Sequence, residues 1–336
     1  MAKETVTSTL SETEQIDTSA ETIEPTEPTE TTEAAQNIVK ELSVQDLFKD
    51  LFAGYGENGT DIGKQNCNKT IAAYLKQEAS KIKCFKKYNI IVLYDDSTLV
   101  KGDADNIYNA VTRFTEKKPL LLVLYSRGGS AASAYLIGKL CREYSNDTFI
   151  ASIPRFAKSA ATLITCAANE IHMGSLSELG PIDPQINDLP ALGLKNSIEH
   201  IAELVKKYPE SSDMFSKYLQ TNLTLIDLGY YERVAESAAQ YAEKLLDTHA
   251  ANLPRRAKEI ANELVYKYKD HGFVIDRAEA TIIFGDQIIK SNTDEYKLGN
   301  VIYKSLDMIG TLLGYLKHEF YFIGSLDTQP TIRKRK

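Results

Sequence analysis

Arg155-Phe156-Ala157-Lys158-Ser159-Ala160-Ala161-Thr162 leaves a hydrophobic strand and runs into a helix of small residues. A serine at such a turn exposes its hydroxyl beside unpaired helix N–H groups, which holds a nucleophile next to donors for a developing oxyanion. Upstream, Tyr125-Ser126-Arg127-Gly128-Gly129-Ser130 follows a separate buried strand, and its double glycine lets a second backbone segment approach the same acyl group. Downstream stands Glu178-Leu179-Gly180-Pro181-Ile182-Asp183-Pro184-Gln185. Two such segments in one half-domain point to acyl-transfer chemistry. On local sequence alone, the competing reading of Ser159 is an ordinary helix N-cap, and the two roles can coexist.

Around this stretch, short continuous apolar runs at Tyr88–Tyr94, Leu120–Tyr125, Thr148–Ile153 and Glu170–Met173 read as strands covered on both faces. Helical patterns fall between them: Asp105–Lys117, Ser130–Tyr144 and Ala160–Ala168. Strand alternating with helix predicts right-handed crossovers and a mainly parallel sheet, an α/β class. Six segments follow: an acidic Thr/Glu/Pro-rich disordered tail at 1–37, a helical segment at 38–87, the α/β core at 88–195, a helical insertion or oligomerisation region at 196–269, a stretch at 270–325 that completes the core and ends in a helix over Glu295–Phe322, and a basic tail at 326–336.

The tract Lys158-Ser159-Ala160-Ala161-Thr162-Leu163-Ile164, then Ala167-Ala168-Asn169-Glu170-Ile171, then Ser177-Glu178-Leu179-Gly180-Pro181-Ile182-Asp183-Pro184-Gln185, resembles the serine dehydrogenase proteinase family. That family lies within the superfamily of the Clp protease proteolytic subunit and signal peptide peptidase A. The similarity is strong from Tyr88 to Ile186 and weak from His271 to Ala280. It implies a ClpP/crotonase-like spiral ββα core, with Ser159 as nucleophile and the Gly129 and Ala160 N–H groups as an oxyanion hole. Relatives carry proline where this chain has Arg127. In the Clp peptidase a histidine follows the serine. Asp183 stands at about that place, and a carboxylate of ordinary pKa, about 4, is a weak base for a hydroxyl. Asp183 can instead lock the Gly-Pro turn. Lys195, Lys158 and His271 are the other candidates for the base. Lys195 lies in the broad region where signal-peptide-peptidase-like enzymes place a catalytic lysine, without their local motif, and His271 lies near the segment that supplies the third triad member in the Clp peptidase. His172 reads as a core histidine, and His200, His249 and His318 lack metal-ligand spacing.

A net charge of −7 is short of the basic face that nucleic acid requires. Cys67, Cys84, Cys141 and Cys166 are scattered without a CxxC, which fits neither a disulfide framework nor zinc and suits a reducing cytoplasm. No secretion signal is recognisable, and no apolar run approaches the ~20 residues that span a bilayer. No phosphate loop or dinucleotide fingerprint occurs, so no cofactor is expected. The expectation is a cytoplasmic serine peptidase that acts on peptides or proteins, with homo-oligomeric assembly implied by the resemblance. Its alternatives are a non-catalytic scaffold that has lost its base and a crotonase-like enzyme acting on an acyl thioester.

Overall fold

The computed structural model describes residues 41–186, 189–222 and 225–335, so the acidic stretch at 1–37 lies outside the described residues. A helical hairpin, α1 (Val44–Tyr55) and α2 (Asp61–Ser80), precedes β1 (Asn89–Asp95). There follow α3 (Lys101–Val111), β2 (Leu120–Ser126), α4 (Ala131–Glu143), β3 (Phe149–Ile153), β4 (Phe156–Ala157), α5 (Ala160–Thr165), β5 (Glu170–Met173) and β6 (Glu178–Leu179). Short strands β7 (Gln185–Ile186) and β8 (Leu189–Pro190) pair with each other and lead to α6 (Ala191–Lys207), α7 (Ser212–Asn222), α8 (Leu225–Leu246), α9 (Ala257–Tyr266) and α10 (Arg277–Phe284). The last elements are β9 (Ile289–Lys290), α11 (Asp294–Tyr315), β10 (His318–Ser325) and β11 (Thr331–Lys334).

The main sheet runs β11-β10-β1-β2-β3-β5-β9. β1, β2, β3, β5 and β9 are parallel, whereas β10 is antiparallel to β1 and to β11. The continuous apolar runs follow from burial on both faces. Ile91, Leu93, Leu122 and Leu124 enter one core with α3, α4, α5, α8, α9 and α10, while Ile90, Val92, Leu121 and Val123 enter a second core with α1, α2 and α11. Each such leucine, once fully buried, contributes about 1.5–3 kcal/mol. Beyond β3 the chain kinks at Pro154-Arg155, and β4 pairs with the far end of β2 through Ser126 and Ala157. β6 then pairs with β4. This second layer carries Ser159 to the glycines that follow β2.

Three expectations differ from the structure. The closing helix stops at Tyr315 rather than Phe322, because Lys317 turns the chain at φ 61° and the next residues take strand periodicity. Phe320 and Phe322 then point inward from β10. Within the stretch expected as a solvated basic tail at 326–336, Thr331–Lys334 is the edge strand β11. Its exposed Arg333 and Lys334 put charge on an edge that would otherwise invite another strand. Helix α3 also starts before the predicted Asp105, since the Asp103 carboxylate accepts the Val100 N–H at 2.7 Å and fixes the first turn.

α5 is fixed at its far end by His249, whose Nε2–H donates to the Cys166 carbonyl at 2.9 Å. Burial, partly offset by this bond, holds the imidazole below its ordinary value of 6.5. The unfolded chain therefore binds the proton first as pH falls. Stability on this account is full above about pH 6.5 and is lost as pH drops toward the folded-state value. Urea unfolding at pH 7.5 and 5.5 is expected to show this loss, and His249→Gln, which keeps a donor without a titrating ring, should reduce it.

Candidate active site

Ser159 occupies the turn between β4 and α5 with φ 50° and ψ −119°. A non-glycine residue in this region is strained, and such strain is held in place only by the structure around it. The hydroxyl makes no cap hydrogen bond, so the local N-cap reading does not describe it. It stands half-buried at the head of a six-residue helix whose residues are all buried.

The opposing loop is fitted to this turn. Gly128, at φ 93°, lies so close that a β-carbon there would stand 2.5 Å from the Lys158 carbonyl oxygen, 2.8 Å from the Ala160 nitrogen and 3.0 Å from Ser159 Cβ. Leu99 anchors the loop from the other side: its N–H donates to the Gly128 carbonyl at 2.8 Å and its carbonyl accepts from Ser130 N–H at 3.0 Å. In a parallel bridge of this kind the Gly129 N–H points away from Leu99. Neither that N–H nor the Ala160 N–H has a hydrogen-bond partner among the described residues. Arg127, in the place of the family's proline, is held by Asp96 at 2.6 Å and lies over the Phe156 ring, 5.4 Å from its centroid. Its charge therefore braces the loop against β4.

A third segment is laced to the turn. Thr162 Oγ1–H donates to the Ala157 carbonyl at 2.7 Å and accepts the Gly180 N–H at 3.1 Å. Leu179 pairs with Ile275 through two backbone hydrogen bonds of 2.9 and 3.1 Å. Gly180 is thereby tied to the helix that Ser159 heads, and the Leu179–Ile275 bridge brings the segment that follows His271 alongside the Gly-Pro turn. The Asp183 side chain is only 6% exposed, and its Oδ2 lies 3.7 Å from His271 Nδ1 and accepts from Gln185 Nε2 at 3.0 Å. Asp183 Oδ1 and His271 Nδ1 are buried with no hydrogen-bond partner. At 3.7 Å the pair has ion-pair spacing and not that of a hydrogen bond.

Of the other base candidates, Lys158 is drawn away from Ser159 by the Leu179 and Phe273 carbonyls and by Glu178. Lys195 is on α6, with its side chain outside the described residues. His172 is a core histidine between Thr293, at 2.7 Å, and Glu170, at 3.0 Å. His318 is bound to the Leu316 carbonyl, and His200 is exposed on α6. Sequence reasoning overlooked Thr162, a hydroxyl inside a small-residue helix that gives no outward sign of its role as a tie.

Residues 60–279, more than half of the chain, match the family described as ClpP-like SDH-type serine proteinase. The chain belongs to that family. Its α/β class and ClpP-like fold are those that the motif resemblance implied. Two uncharacterized proteins of Methanocaldococcus jannaschii are similar to it. One is 26% identical over 204 residues, 61% of this chain and 61% of the relative. The other is 32% identical over 97 residues, 29% of this chain and 34% of the relative. The chain thus spans less than two thirds of either relative's length. A solved structure of a mutant 1510-N membrane-bound stomatin-specific protease aligns with 61% of this chain and 80% of its own, at 15% identity and a TM-score of 0.38. No helix among the described residues is long and apolar enough to cross a membrane.

Proposed function

We propose that this protein is a serine peptidase that uses Ser159 as nucleophile, Gly129 and Ala160 N–H groups as oxyanion donors, and His271, oriented by Asp183, as base. The observation that carries this reading is the strained Ser159 backbone with its hydroxyl free of the cap bond that serine ordinarily makes. In the proposed reaction Ser159 Oγ attacks the peptide carbonyl as its proton passes to the His271 imidazole. The tetrahedral oxyanion sits between the two N–H groups. Its collapse breaks the C–N bond, and the departing amine takes the proton from the imidazolium. Water, deprotonated by the same imidazole, then releases the acyl group and restores Ser159. The 3.7 Å spacing of Asp183 and His271 suits a pair that tightens once substrate is bound.

The substrate class is peptide or protein. The same reading places the protein in the cytoplasm as a homo-oligomer. Four free thiols support the first, and exposed Met214 and Tyr218 on α7 offer a surface for the second. Fluorophosphonate labelling, mapped by mass spectrometry, tests the nucleophile: an adduct is expected on Ser159 and none in Ser159→Ala. A folded sample that takes no label would leave the non-catalytic scaffold as the better reading.

A further inference from the structure

Lys158 lies directly before Ser159, yet its side chain turns away and is only 18% exposed. Its Nζ lies 3.3 Å from the Leu179 carbonyl oxygen, 3.4 Å from the Phe273 carbonyl oxygen and 3.2 Å from Glu178 Oε2. An ammonium has three donors, and here three acceptors surround it. Nothing of the group is left over for the serine hydroxyl. The acceptors come from two separate segments: Glu178 and Leu179 lead into the Gly-Pro turn that carries Asp183, and Phe273 is two residues beyond His271.

We infer that Lys158 is a positioning residue that ties the Asp183 and His271 segments to the backbone of the nucleophile, an assignment that rests on the site reading given above. Leu179 is the crossing point, because its carbonyl also accepts the Ile275 N–H at 3.1 Å. One ammonium therefore clamps the place where the two segments meet. A second feature shows that this path is built for the lysine. A β-carbon on Gly180 would stand 2.7 Å from Lys158 Cδ and 3.3 Å from its Cα, so the stem lies flat across a residue without a side chain. Thr162 ties the turn at Gly180 N–H, but no bond of Thr162 reaches the His271 segment; Lys158 alone of the two spans both.

Lys158→Met keeps the stem and removes the three bonds. Two readouts on the full chain separate the possible roles. Amide hydrogen exchange resolved at Ile275 is expected to speed up in Lys158→Met with the melting temperature of the whole protein little changed. The rate of fluorophosphonate labelling at Ser159 is expected to fall about 10–100-fold, as misplacement of about 1 Å does. Lys158→Arg, which restores donors at the end of a long stem, should recover part of both. Gly180→Ala displaces the stem without touching the ammonium and should give the same paired signature if Lys158→Met does not fold. Unchanged exchange at Ile275 overturns the clamp, whether labelling persists, which makes the lysine a bystander, or vanishes, which places it in the chemistry. Should the wild-type protein take no label at Ser159, the reading of the site fails, and the exchange result still decides the clamp.

Discussion

Ser159→Gly is expected to be inactive and yet more stable than the parent, whereas Ser159→Ala is inactive with no such gain. Both remove Oγ, and loss of a nucleophile that works with a base typically costs about 10⁴-fold or more in turnover. They differ in the backbone. At φ 50° and ψ −119° any residue with a β-carbon carries strain of roughly 1–3 kcal/mol, and alanine inherits it. Glycine adopts this region freely, at an entropic cost of about 0.5–1 kcal/mol from the unfolded chain. The balance leaves a gain of about 1 kcal/mol. Urea denaturation of the two variants beside the parent measures it, and hydrolysis of a casein-type substrate measures the loss. Acyl-thioester turnover that survives in Ser159→Ala, with no casein hydrolysis by the parent, would point to the thioester enzyme, which needs the oxyanion donors but no serine. Equal stability of Ser159→Gly and Ser159→Ala would mean that the turn stores no strain, and the argument from backbone to nucleophile would lose its footing.

What could be read from the sequence follows from where the chain buries itself. The runs at Leu120–Tyr125 and Thr148–Ile153 are apolar without alternation, the pattern of a strand covered on both sides; in the first, Leu122 and Leu121 enter different cores. The Ser159 turn was legible because strand, small residues and double glycine each leave a local signature. His318–Ser325 was not, since Phe320 and Phe322 also satisfy a helical count that runs on from Ile309 and Leu313. The change of element hangs on the positive φ of Lys317, for which a lysine gives no signal. The pairing of Asp183 with His271 was beyond reach for another reason. The two are separated by the helical stretch of α6 to α9 and are brought together where Leu179 bridges Ile275. A sequence shows both residues as candidates, but only the fold shows that they face one another.

His271→Ala and Asp183→Asn are each expected to cut kcat/KM by about 10²–10⁴-fold, and the double variant is expected to be no worse than the weaker single. Residues that act as one unit lose their whole contribution when either is removed. Asp183 can act only through the ring it orients, so loss of that ring should leave nothing further for Asp183→Asn to remove. The buried, unpartnered Asp183 Oδ1 sharpens the test. Asparagine keeps the shape and the bond with Gln185 but withdraws the charge that would stabilise an imidazolium, so a large fall without loss of folded protein locates the effect in catalysis. Lys195→Ala completes the set. If that variant loses activity and His271→Ala keeps it, the base is the lysine, and the Asp183–His271 pair reverts to a structural lock on the Gly-Pro turn. Additive losses in the double variant would likewise separate the two residues, because a pair that adds is not working on the same proton.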